Sequence, residues 1–193
     1  MYPSKSIVRI SLLLFLFFPA RGQAPRNLKV SVLNEATSLP TLNALPRPLH
    51  PGLTIGSDFL VSSRNHWQST LGADLSFFHH RLSENALMLD ATYGLGYRFG
   101  FGLQPRFLAA LGYKHTLAAG EVYELRNGGY EKAAYWGKSQ FNARVGFGLQ
   151  YALNKKYSLT TDYKTMVALP YSKKIAFSLH TLLSVGIEVN LQN

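Results

Sequence analysis

His79, His80, Ser83 and Glu84 fall within six residues, "HHRLSE". A histidine beside a serine and a carboxylate is the material of an activated nucleophile, because the imidazole takes the hydroxyl proton while the acid orients the ring. Two adjacent histidines also raise the question of a metal. The stretch lies between two alternating segments, however, and reads as the polar loop of a hairpin. On a regular strand His79 and His80 point to opposite faces and cannot both hold one ion. His180 and Ser184 share a face further along but stand two pleats apart. No glycine run opens a helix as a phosphate cradle would; the glycines alternate with aromatic residues instead. The chain has no cysteine, which removes thiolate metal sites and disulfides. The residues therefore assign no catalytic, cofactor or metal site, and the chain is read as not an enzyme.

A second chemistry-bearing set is spaced by twos. Asp58, Asp74, Asp90, Asp162 and Glu188 fall on one face of the alternating segments, and so do Arg98, Arg106, Lys114, Arg144 and Lys164. Five acids and five bases on one confined face must pair, because an isolated buried charge is very costly. The elements that carry them are long strands. "WQSTLGADLSFFH" (67–79) and "ALMLDATYGLGYRF" (86–99) alternate apolar with small or polar residues throughout. That is the period of a strand with two different faces. The same period marks 52–61, 106–115, 139–153, 157–167 and 176–191. "NLKVSVLN" (27–34) is a shorter candidate that would bring the count to eight. Globular strands run about five or six residues, whereas a tilted strand that crosses a bilayer needs about 9–11.

Residues 1–22, "MYPSKSIVRISLLLFLFFPARG", read as a signal peptide: a basic start, a short apolar run, and small residues before Gln23. The remaining 23–193 make one domain. After the leader no apolar run approaches the ~20 residues of a transmembrane helix. The formal net charge is +10, from 20 Lys and Arg against 10 Asp and Glu, and loss of Lys5, Arg9 and Arg21 lowers it by three. A basic exported chain suits anionic lipid or polysaccharide, and no motif points to nucleic acid.

Which face is inside decides the class. A soluble lipocalin-like barrel also alternates, with its apolar face inward. Here the polar face carries Gly56, Gly72, Gly94, Gly96, Gly112, Gly146, Gly148 and Gly186 together with the balanced charges. Glycine weakens a water-facing strand for no gain, but inside a narrow barrel it makes room. The fold expected is all-β: an antiparallel up-and-down transmembrane barrel of about eight strands with a filled polar lumen. Trp67, Tyr97, Phe99, Phe107, Tyr151 and Tyr157 stand beside the short turns as an aromatic girdle. Phe77, Tyr113, Phe141 and Tyr163 would form the second.

On these alternating segments and the "HPGL" lead-in at His50–Leu53, the chain resembles the small outer-membrane β-barrels of the OmpA/OmpX kind, and among them the small barrels common in Bacteroidota. It departs from that family at "VGIEVNLQN", where Leu191 and polar residues stand instead of the aromatic residue read by the insertion machinery. It also lacks the histidine-x-serine spacing of lipid A deacylase barrels at 79–84. The resemblance implies the bacterial outer membrane as location. Its implied partners are outer-membrane lipids, lipopolysaccharide and the barrel-assembly machinery, with no cofactor.

Loop length sets the expected orientation. Short turns at 62–66, 100–105 and 154–156 face the periplasm, and 35–51, 80–85, 116–138 and 169–175 face outward. Arg26, Lys29, Arg64, Lys155 and Lys156 then form a basic group toward the periplasmic head groups. Loop 117–138 offers Tyr123, Tyr130, Tyr135 and Trp136 as anchors for surface recognition, or extends the barrel wall as a hairpin. The reading is a structural or surface-recognition barrel rather than a general pore. The alternatives are a lipid-modifying enzyme, a narrow channel and, last, a soluble carrier. If the 100–105 turn sets its hairpin, residues summing to about 204 face each other. Asp90 is then opposite Lys114, and Arg98 near Arg106.

Overall fold

The computed structural model describes residues 24–37, 49–81, 83–126, 128–132, 136–171 and 175–192, with the backbone alone at 124–126. Residues 1–22, read above as a signal peptide, lie outside the described residues, as does 38–48 of the first long loop. Among the described residues ten strands follow one another: β1 (Asn27–Ala36), β2 (Pro51–Arg64), β3 (Trp67–His79), β4 (Glu84–Tyr97), β5 (Leu103–Ala118), β6 (Tyr123–Arg126), β7 (Gly129–Lys132), β8 (Lys138–Ala152), β9 (Tyr157–Leu169) and β10 (Ser178–Asn190). Eight of them close into an antiparallel barrel in the order β1-β10-β9-β8-β5-β4-β3-β2, and β6 with β7 forms a separate hairpin. The candidate strand at 27–34 is the closing one. Asn27 faces Asn190 and Ala36 faces Thr181 along a ten-residue ladder with β10, so the barrel has no open edge.

The barrel is inverted relative to a soluble one. Leu71, Leu75 and Phe77 of β3 are exposed, while Gly72, Asp74, Ser76 and Phe78 between them are buried. Leu87 and Leu89 of β4, and Val145, Phe147, Leu149 and Tyr151 of β8, repeat the pattern. This is the opposite of the lipocalin arrangement. Among the described residues the ladder shifts register in β2, between Asp58 and Leu60. Phe59 and Leu60 both face out, so a bulge lets two consecutive apolar residues share the outer face.

The turns place β1's start, β10's end and three short connections at one end of the barrel. Asn65 takes a positive φ of 56° in the two-residue turn between β2 and β3. Asn154 Oδ1 accepts from the backbone N–H of Lys156 and of Tyr157, both at 2.8 Å, in the third. The β4–β5 turn corrects the expected register. Gly102, at φ 91°, lets Leu103 pair with Phe99 early, so β5 begins before Pro105. Pro105 stays in the strand because the β4 ladder has ended at Gly96–Arg106, and it is paired only with Leu149 of β8. The whole hairpin is displaced by two residues. Asp90 faces Gly112, and Lys114 faces Met88, so the expected Asp90–Lys114 pairing does not form.

Glycine opens the interior where a carboxylate lies across the ladder. A Cβ on Gly112 would sit 2.2 Å from the Leu89 carbonyl oxygen and 2.4 Å from Asp90 Oδ1. One on Gly148 would sit 2.3 Å from Asp162 Oδ1. These residues are the space the charges occupy.

Candidate functional site

The lumen divides into two regions. In the short-turn half, Lys29 Nζ donates to Asp58 Oδ1 at 2.9 Å and lies 3.7 Å from Asp74. Arg106 donates to Asp162 at 3.2 Å and stands 3.7 Å from Glu188, and Lys164 meets Asp162 at 3.1 Å. Arg144 pairs with Asp90. A cavity of about 50 Å³ is lined by Lys29, Asp74, Arg106, Arg144, Asp162 and Lys164 among others. A second, of about 30 Å³, meets Asp58, Gln68, Gln104 and Glu188. Each exceeds the ~10–15 Å³ one water needs. Asp74 Oδ1, Arg106 Nε and Glu188 Oε2 lack hydrogen-bond partners within the protein, which suits a wet space.

The long-loop half is packed. Phe78, Met88 and Met166 are wholly buried beside Leu33, Ala86 and Leu182. Lys114 is 0% exposed and pairs with Glu84, with its ammonium 5.6 Å from the Phe78 ring centroid. His180 Nδ1 faces Glu35 Oε1 at 2.8 Å, and its Nε2 faces Ser178 Oγ at 3.0 Å and Lys114 Nζ at 3.3 Å. The ammonium can only donate, so Nε2 accepts and Nδ1 carries the proton toward Glu35. Serine, histidine and acid thus stand in the order of a nucleophile relay. Lys114, however, occupies the lone pair a general base would use, and Ser178 lines neither cavity.

Nine of the ten charges expected on the inner face are there. Arg98 is not. It follows the end of β4 and is exposed at the rim, where it bonds Gln104 and Gln68 at 3.3 Å each. The displaced register therefore sets Gly96, not Arg98, opposite Arg106. Lys29, expected among the periplasmic basic group, turns inward. Glu35 and Glu84 also join the lumen. Residues 79–84 scatter: His79 faces out and meets Asn85 at 2.6 Å, Ser83 is exposed, and Glu84 is buried. His80 stacks on His50, with centroids 3.6 Å apart. Ser184 is not a partner of His180 in the relay; Ser178 is. Odd positions of β1 face inward, so Lys29 and Glu35 were readable once 27–36 counted as a strand.

On the outside, Trp67 and Tyr97 meet edge to face at 5.2 Å, and Tyr97 and Phe99 at 5.1 Å. Phe107, Tyr151 and Tyr157 are exposed at the same end. Phe77, Tyr113 and Phe141 are exposed toward the other, but Tyr163 is not part of that ring: it sits halfway along β9, facing Phe147 and Leu183. Tyr123 and Tyr130 of the β6–β7 hairpin and Trp136 ahead of β8 are exposed, Trp136 at 87%. Tyr135 lies outside the described residues. Glu121 accepts from Lys132 and from Tyr123, and these bonds, Lys132's first, hold its carboxyl below the usual range.

No protein-family profile matches the chain, and no curated protein matches it in sequence. Solved structures do match in shape. The crystal structure of Neisserial surface protein A superposes with a TM-score of 0.51 at 12% identity, covering 86% of this chain and 95% of that one. The outer membrane enzyme PagL superposes with a TM-score of 0.51 at 11% identity, covering 86% and 99%. The likeness is one of fold. The closed eight-strand antiparallel barrel itself is set by the pairing observed here.

Proposed function

We propose that the chain is an integral outer-membrane barrel that presents its long-loop end at the cell surface, does not act as a general pore and is not an enzyme. The observation that carries this reading is the outward apolar face of the barrel strands around a buried set of ion pairs. Water would penalise that outer face, and hydrocarbon would not. An eight-strand barrel has an interior just wide enough for its own side chains. Orientation follows from the connections: the short turns, with Arg64, Lys155 and Lys156 near them, face the periplasmic head groups. Lipopolysaccharide surrounds the opposite rim, and the hairpin β6–β7 with Tyr130 and Trp136 is the surface offered to an outside partner. A common origin with the Bacteroidota barrels belongs to the same reading. Fractionation of the producing cells tests it. The mature chain is expected in the outer-membrane pellet, migrating differently on gels when unheated. Recovery as a soluble periplasmic monomer without detergent would contradict it.

A second reading, an enzyme acting on a lipid, has the Ser178–His180–Glu35 relay behind it. The occupied Nε2 and the burial of Ser178 weigh against it. Loss of a lipid modification in Ser178→Ala cells would bring it to the front.

A further inference from the structure

We propose that Glu35, His50 and His80 form a binding site for one late first-row divalent ion, with Zn²⁺ the reference case, at the long-loop mouth of the barrel. One ligand atom from each residue lies within 4.8 Å of the other two. Tetrahedral zinc, with bonds of about 2.0–2.2 Å, sets its ligand atoms roughly 3.3 Å apart, a closure within reach of side-chain torsions.

Two atoms of these side chains are buried without a hydrogen-bond partner, His50 Nε2 and Glu35 Oε2. The other polar atoms of both side chains are engaged. Glu35 Oε1 accepts from His180 Nδ1 at 2.8 Å and from Thr37 Oγ1 at 2.9 Å. His50 Nδ1 stands 3.1 Å from the Glu35 carbonyl oxygen and 3.4 Å from Glu35 Oε2. A carbonyl only accepts, so Nδ1 carries the proton and the lone pair is on Nε2. A metal-binding imidazole is commonly fixed in this way, through a carbonyl bond on its other nitrogen. His180 is a positioning residue: it holds Glu35 and is itself held by Ser178.

Charge points the same way. Among the described residues, Glu35 is the buried acid whose ion-pair partners are histidines alone. The rings of His50 and His80 stack at 3.6 Å, 23° from parallel, which sets the two imidazoles side by side at the carboxylate. One divalent ion offsets the carboxylate and takes one nitrogen from each imidazole. Two nitrogens and one oxygen select Zn²⁺, Ni²⁺ or Cu²⁺ over Ca²⁺ or Mg²⁺. The backbone beneath is anchored: Glu35 N–H donates to His50 O at 2.9 Å, His50 N–H to Asn34 Oδ1 at 2.9 Å, and His80 N–H to Glu84 O at 2.8 Å. The ion would tie the end of β1, the approach to β2 and the exit of β3.

The test is calorimetric titration of the untagged, chelator-treated barrel in detergent with ZnCl₂, with CaCl₂ in parallel and Co²⁺ absorption as a reading of the ligands. Binding of one Zn²⁺ per chain is expected, with no heat from Ca²⁺ and visible Co²⁺ bands of tetrahedral strength. His80→Asn and His50→Gln should each weaken Zn²⁺ by more than about tenfold. His79→Asn, one residue away on the outer face, should leave it unchanged. The gel shift of unheated samples certifies that each variant has folded. Absence of stoichiometric Zn²⁺ binding would overturn the site. So would a folded His80→Asn barrel that binds like wild type, a His79→Asn loss equal to that of His80→Asn, or a Co²⁺ spectrum of oxygen ligands alone.

Discussion

Lys114 and Lys29 are both lysines on the inner face, yet they are handled differently. Lys114 has a side chain 0% exposed, with Glu84, His180 and Phe78 around it. Lys29 keeps 22%, shares two aspartates and borders a cavity large enough for a few waters. The long-loop half meets the cost of buried charge by direct pairing under an apolar plug. The short-turn half meets it with several partners per charge and room for water. A charge with one partner in a dry site loses most when that partner goes; a charge with two partners and water can reorganise.

The largest effect expected from this contrast is at the plug. Phe78→Ala removes a fully buried ring and should lower unfolding stability by about 3–5 kcal/mol, read as the shift of the urea midpoint of the folded barrel. Next, Glu84→Gln strands the Lys114 ammonium and should cost about 3–5 kcal/mol. Adding Lys114→Met should recover part of that loss, because the two residues are coupled. Glu188→Gln in the wet half leaves Arg106 its bonds to Asp162 and Gln150, and should cost about 1 kcal/mol. Equal losses for Glu84→Gln and Glu188→Gln would erase the distinction between the halves. Smallest is Trp136→Ala beside the β6–β7 hairpin, expected within about 0.5 kcal/mol of wild type because the side chain is 87% exposed. A larger change would make the hairpin part of the barrel wall.

The period of two carried most of the fold. β3 runs from Trp67 to His79, the limits of the alternating segment, and the inner face took nine of its ten expected charges from parity alone. Register was less legible because it depends on one backbone angle. Gly102 turns the chain early, and that moved Lys114 from Asp90 to Glu84. The bulge at Phe59 broke parity locally for the same kind of reason. The histidine–glutamate cluster was out of reach. Glu35, His50 and His80 meet across the β1–β2 and β2–β3 ladders, and closure of β1 on β10 adds His180. A pattern along the chain records which face a residue takes. It does not record which residues from other strands arrive at the same height.

The central claim is that the packed half closes the lumen. Planar-bilayer recording of the purified wild-type barrel tests it most directly, since the side chains of Phe78, Met88, Lys114 and Met166 fill the space ions would cross. The account predicts a flat baseline at both polarities in molar KCl, from protein whose unheated gel shift certifies folding. Steady ohmic openings from the same preparation would contradict it and make the barrel a narrow channel.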